Sequence, residues 1–280
     1  MVETAKIVGL TLAVAMFALL GCEGEWTDAP VGRTSCTLYD FLPGSHRALK
    51  MVSGNNGNNL YILDNFSYVH SYKRDGLYEC AFDLENSYGF NGFPEDVFFA
   101  GNGFYVKDKA SLKSQSDTEE CYAKDGFFAV AGNELAVGSN AGIETWSIKP
   151  CAKRGNVSSW GVFALAATNS DYYAVEGAGA MQNLAMYSKS GTLGNTEPLS
   201  VMPGNEKNFC SASRLATNNY GVYLFDRECR KIGVFDNSAV WRKTINIDSL
   251  GIRNPLDIAA GEYSYVFILH EGGVEKINVF

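Results

Sequence analysis

A chain of 280 residues with 31 acidic and 23 basic side chains carries a net charge of -8, and 46% of it is apolar. That charge excludes electrostatic docking on nucleic acid or on anionic lipid headgroups. The length and apolar content suffice for one large core, and beyond the N-terminal run every apolar stretch is short and broken by Gly, Asn or charge, which excludes a further membrane-spanning helix.

Residues 1–6 form a short polar start, and an apolar run over residues 7–20 closes on Leu19-Leu20-Gly21-Cys22. A run of that length is too short to cross a bilayer as a helix but suits the apolar core of a signal peptide. The Leu-Leu-Gly-Cys ending resembles a bacterial lipoprotein signal. That resemblance implies that residues 1–21 are removed, that Cys22 carries the lipid, and that the mature chain is held at the bacterial outer membrane, facing the periplasm or the cell surface. Residues 22–35 are then the lipidated Cys and a polar tether containing Pro30 and Gly32.

Cysteine usage agrees with export. Cys22, Cys36, Cys80, Cys121, Cys151, Cys210 and Cys229 are present, and lipidation of Cys22 leaves an even number, which reads as three disulfides. No two Cys have zinc-type spacing. Cys210 and Cys229 flank one expected strand pair and are the first pairing expected. Cys36 with Cys80 and Cys121 with Cys151 follow as neighbours in blade order.

From residue 36 onward one phrase recurs: a few apolar residues, a small residue, Gly or Thr, usually Asn, then an aromatic-rich strand. It reads Ser53-Gly54-Asn55, Ala100-Gly101-Asn102, Ala131-Gly132-Asn133, Ala167-Thr168-Asn169, Ala216-Thr217-Asn218 and Ala260-Gly261-Glu262. The mean interval of about 41 residues is the length of one four-stranded propeller blade. The fold class expected for residues 36–280 is therefore all-β, a six-bladed β-propeller. Third strands show as YVHSYK, IETWSIK, NLAMYSK, KIGVFD and VEKINVF, with alternation of period two. The last repeat supplies three strands and residues 36–42 lack a partner nearby, so the N-terminal strand is expected to close the last blade.

The passage GVYLFDRECRKIGVFD, from Gly221 to Asp236, resembles the second and third strands of NHL-type repeats, and YVFILHEGGVEKINVF and LYILDNFSYVHSYKRDG follow the pattern more loosely. The second and third repeats depart from it, with short or Cys-containing outer strands.

No nucleophile elbow, P-loop, zincin helix or calcium loop is present, and no cofactor is expected. The second strand of most repeats ends in an acid: Asp64, Asp108, Glu176, Asp226 and Glu271, with His270 beside the last. In a propeller these ends share one face, where a ring of carboxylates would attract a cation or a basic partner. The competing role is an Asx-type turn at each strand exit. The reading that follows is a lipid-anchored binding or scaffolding module with an envelope protein or glycan partner. The alternative is a propeller hydrolase, lactonase-like or glycan-cleaving, using the axial carboxylates with a metal.

Overall fold

The computed structural model describes residues 34–36, 46–54, 59–73, 78–83, 94–100, 103–108, 111–114, 120–122, 125–158, 160–178, 181–199 and 208–279. The signal segment, Cys22 and most of the tether lie outside the described residues. Among the described residues no helix is long and apolar enough to cross a membrane.

The described strands form six antiparallel sheets. Sheet 1 contains β2 (Ala48–Gly54), β3 (Asn59–Asp64), β4 (Tyr68–Lys73) and β5 (Tyr78–Asp83). Sheet 2 contains β6 (Asp96–Ala100), β7 (Gly103–Asp108), β8 (Ser111–Ser114) and β9 (Glu120–Tyr122). Sheet 3 contains β10 (Phe127–Ala131), β11 (Glu134–Ser139), β12 (Gly142–Ser147) and β13 (Ala152–Ser158). Sheet 4 contains β14 (Val162–Ala167), β15 (Asp171–Ala178), β16 (Met181–Ser188) and β17 (Leu193–Pro198). Sheet 5 contains β18 (Arg214–Thr217), β19 (Val222–Asp226), β20 (Lys231–Phe235) and β21 (Trp241–Asn246). Sheet 6 contains β22 (Pro255–Ala260), β23 (Tyr265–His270) and β24 (Gly273–Asn278), with β1 (Thr34–Cys36) as its fourth strand.

Each recurring phrase falls at the hairpin between a sheet's first and second strands, and the third sheet shows why. Gly132 takes a left-handed φ of 59° that a side chain would strain. Asn133 then accepts from the Lys149 N–H at 3.0 Å and donates to its carbonyl at 2.9 Å, tying the hairpin to the end of β12. In sheet 5 the matching Asn218 accepts from the N–H groups of Tyr220 and Gly221. Its amide donates to the carbonyls of Gly261 and Tyr263 in the next sheet. One residue type therefore makes a turn and stitches neighbouring sheets.

Second strands are apolar through their middle residues because both of their faces are covered. In β19 every residue from Val222 to Asp226 is buried. The core divides into clusters that each join two consecutive sheets. Tyr61, Leu63 and Val69 meet Val97, Phe104 and Val106 between sheets 1 and 2. Tyr223 and Phe225 meet Ile258, Val266 and Ile268 between sheets 5 and 6. Met51, Leu60, Ile62 and Tyr72 meet Ala259, Phe267, Leu269 and Val274 between sheets 6 and 1. Each fully buried Leu, Ile or Phe contributes about 1.5–3 kcal/mol. The first strands contact one another in order, β2 to β6 to β10 to β14 to β18 to β22, and β22 contacts β2.

The N-terminal strand lies slightly earlier than its sequence suggests. Thr34, Ser35 and Cys36 pair with Lys276, Glu275 and Val274, so Thr34 and Ser35 are ladder residues rather than tether. Thr suits an edge strand, and polar composition alone does not separate such a strand from a linker. Residues 37–42 lie outside the described residues.

Candidate functional site

Three cavities follow one another between the first strands. The first, about 490 Å³, lies at their N-terminal ends and is lined by Lys50, Glu95, Asp96, Lys107, Asp125 and Arg214 together with Phe127 and Phe128. A narrower one, about 130 Å³, is bounded by residues of all six first strands. The third, about 600 Å³, lies at their C-terminal ends and is lined by the recurring phrase itself, including Thr168, Asn169, Asn218, Asn219, Gly261 and Glu262.

The two wide cavities differ in chemistry. In the first, the Arg214 guanidinium donates to Asp96, and its Nε lies 3.7 Å from Oδ1 of the fully buried Asp257. The other Asp257 oxygen accepts from the Met51 N–H at 2.9 Å. Burial by itself would lower the Arg214 pKa, but Asp257 and Asp96 hold it well above its ordinary value. Lys107 pairs with Glu95 and sits over the Phe128 ring at 5.2 Å. The Arg214 pairs cross between sheets, while Lys107 and Glu95 pair within sheet 2.

The third cavity is lined by amides, hydroxyls and small residues, with Glu262 as its charged member. Tyr220 and Tyr263 stand at its rim with ring centroids 5.6 Å apart, and they are 49% and 55% exposed. Two adjacent exposed rings beside a polar, hydrogen-bonding cavity form a surface suited to the apolar face of a sugar or to an aromatic-binding peptide.

The strand-exit acids have separate surroundings. Asp64 is fully buried, and its Oδ1 accepts from the N–H groups of Phe66 and Tyr68, both at 2.9 Å. Its Oδ2 faces His46 and His70. Burial alone would raise its pKa, but the bonds from His70, Tyr68, His46 and Phe66 hold the carboxyl below the usual range. Glu176 is buried and accepts from the Tyr187 hydroxyl at 2.6 Å and the Ser158 hydroxyl at 2.9 Å. Burial, then the bond to Glu176, pushes Tyr187 up to about 12.

Asp226 accepts from the N–H groups of Cys210, ahead of β18, and Cys229, in the turn after β19, and so ties together the two segments that carry the cysteines. Glu271 is exposed and accepts from Asn254 at 2.7 Å. His270 accepts from the Gly272 N–H through Nδ1, and Asp108 ends β7 half-buried. The acid groups at metal-ligand spacing among the described residues are Asp64 with His46 and His70, and Asp226 with Cys210 and Cys229. None of the five acids lines the cavity at the N-terminal ends of the first strands, and Asp64, Glu176, Asp226 and Glu271 have partners of their own beside them.

Cys121 and Cys151 are joined with Cα atoms 5.1 Å apart, and Cys210 and Cys229 with Cα atoms 5.6 Å apart. The side chains of Cys36 and Cys80 lie outside the described residues, as does Cys22. Backbone pairing sets Cys36 opposite Val274 and Cys80 opposite Ser71.

Sequence reasoning passed over Asp96, Arg214 and Asp257, although each interrupts an otherwise apolar first strand (DVFFA, RLAT, PLDIAA). It also left His46 and His70 aside, since no linear spacing reveals that both approach Asp64.

No family model matches the chain, and no curated protein matches it by sequence. Solved structures do match. Virginiamycin B lyase from Staphylococcus aureus is 10% identical with a TM-score of 0.53, over 89% of this chain and 99% of that one. The WD40 repeats of RRP9 are 10% identical with a TM-score of 0.54, over 89% of this chain and all of that one. PorZ, a bacterial surface component of the type-IX secretion system of Porphyromonas gingivalis, is 10% identical with a TM-score of 0.52. The match takes in 89% of this chain but 38% of PorZ. The chain is similar to β-propellers. At such identities the likeness concerns the fold alone, and these neighbours include a lyase, a set of WD40 repeats and a surface component of a secretion system.

Proposed function

We propose that this chain is a lipid-anchored bacterial envelope protein whose six sheets are the blades of a ring closed by β1, and that it acts as a binding module. The observation that carries this reading is the polar cavity of about 600 Å³ at the C-terminal ends of the first strands, rimmed by the exposed Tyr220 and Tyr263. Paired charges at the opposite end and locally bonded acids at the strand exits fit a structural role for those groups. The partner is an envelope glycan or a protein segment that lays an apolar face on the two rings.

The test uses the full-length protein, expressed in a bacterial host and purified in detergent. Envelope glycans and envelope extracts are passed over wild type and over Tyr220→Ala/Tyr263→Ala. Retention of a defined partner by wild type, weakened about tenfold or more in the double variant, supports the reading. Equal retention by both removes this cavity from consideration. The anchor is tested in parallel by Cys22→Ser, which is expected to leave the membrane fraction or to keep its signal uncut. A processed Cys22→Ser protein still in the membrane fraction would exclude lipidation.

A further inference from the structure

His46 stands just before β2, Asp64 ends β3 and His70 lies within β4, so three segments of sheet 1 converge at one end of that sheet. His46 Nδ1 lies 2.5 Å and His70 Nε2 2.8 Å from the same carboxylate oxygen, Asp64 Oδ2. One ligand atom from each of the three residues falls within 4.8 Å of the others. We infer that His46, Asp64 and His70 form a binding site for a divalent transition-metal ion, with zinc as the best-suited probe.

Three features carry the inference. The first is the donor set, two imidazole nitrogens and one carboxylate oxygen, which is the composition of three-ligand sites that keep a coordination position open. The second is the division of labour in the carboxylate. Oδ1 is held by two backbone N–H groups, which fixes the plane and aims Oδ2 at the imidazoles, as outer hydrogen bonds orient ligating carboxylates. The third is charge. Asp64 is fully buried, and its ionic partners among the described residues are the two imidazoles, with no Lys or Arg. A divalent cation compensates that carboxylate directly.

Access comes from one side. His70 and Asp64 are buried, His46 is partly exposed, and Phe66 packs on the His46 ring at 4.6 Å with nearly half its own surface in solvent. An ion entering past His46 keeps an outward position for water or a ligand group. The site lies within one sheet and is separate from both wide cavities, so its presence or absence leaves the proposed binding mode untouched.

The experiment titrates the full-length, chelator-treated protein with zinc by calorimetry under non-reducing conditions, and with cobalt(II) by visible absorption. One ion per chain is expected, with cobalt bands of a low-symmetry nitrogen and oxygen site and a rise in melting temperature on adding zinc. His46→Ala, the most exposed of the three, should weaken zinc binding more than about tenfold. It should also lose the thermal shift while keeping the wild-type far-ultraviolet spectrum. A Cys210→Ser/Cys229→Ser variant should still bind, which separates this site from the cysteine pair beside Asp226. Absence of stoichiometric zinc and cobalt binding by the wild type overturns the inference. So does unchanged affinity in both His46→Ala and Asp64→Asn.

Discussion

Arg214 on β18 donates to Asp96 on β6, a residue 118 positions earlier in the chain, so sheets 5 and 2 are joined through the space between the first strands. The same guanidinium faces Asp257 of sheet 6. A single cation thus holds together three sheets that their hydrophobic clusters join only in consecutive pairs.

Replacing that cation should be costly. Arg214→Met keeps much of the side chain's length and removes the charge, leaving the buried Asp257 and the half-buried Asp96 uncompensated. We expect a loss of about 3 kcal/mol, read as a lower urea midpoint at unchanged slope. Arg214→Met/Asp257→Asn should recover part of it, because the second change removes the stranded charge. A loss below about 1 kcal/mol would mean that water screens the network as it does at a surface.

The interface of sheets 3 and 4 should respond to acid. Lys189 Nζ lies 2.9 Å from Glu134 and 3.8 Å from the centre of the Tyr172 ring. Burial alone would raise the Glu134 pKa, but the Tyr172 hydroxyl and Lys189 outweigh it and hold the carboxyl below its ordinary value. A carboxyl lowered by folding stabilises the fold at pH above its unfolded value, and that contribution is lost as pH falls through the folded value. Between about pH 5 and about pH 3 the wild type should therefore lose more stability than Glu134→Gln. Parallel melting curves for the two proteins would show that Glu134 is not coupled to folding.

Disulfide mapping of the non-reduced protein should return Cys121–Cys151 and Cys210–Cys229 as linked peptides. The first joins β9, the outer strand of sheet 2, to the segment entering β13, the outer strand of sheet 3. Cys36 and Cys80 stand on β1 and β5, the outer strands of sheets 6 and 1, which are also neighbours. We expect a third bridge there. Recovery of Cys36 or Cys80 as an alkylated thiol after native export would exclude it.

The repeat was legible because one local requirement recurs. Asn133 and Asn218 stand at the equivalent hairpin in different sheets, and the mostly apolar second strands read as near-continuous runs because both faces are covered. Charged residues on first strands were harder to interpret. Arg214 looks like an ordinary polar interruption until Asp96 and Asp257 are brought beside it by the arrangement of the sheets. The strand-exit acids show the opposite case. Asp64 and Asp226 bond backbone N–H groups within a few residues, a local demand that the sequence does carry. Tyr220 and Tyr263 were hidden among 15 tyrosines, since exposure is a property of the fold and not of the residue.

The pairing of β1 with β24 also has a kinetic side. Thr34 and Lys276 stand near opposite ends of the chain, yet they are ladder neighbours. Sheet 6 is therefore complete only after β24 has been synthesised, while sheets 1 to 5 can form in succession before then. The final step closes a loop of nearly the whole molecule and has the highest contact order in it, which makes it the natural candidate for the slowest folding phase. Until it occurs, both β24 and the flank of sheet 1 that will meet sheet 6 remain uncovered, and a second chain at the same stage could offer its own β1 to fill the gap. A nascent population held at high local concentration would then exchange N-terminal strands between molecules, by the same hydrogen bonds that complete each molecule alone.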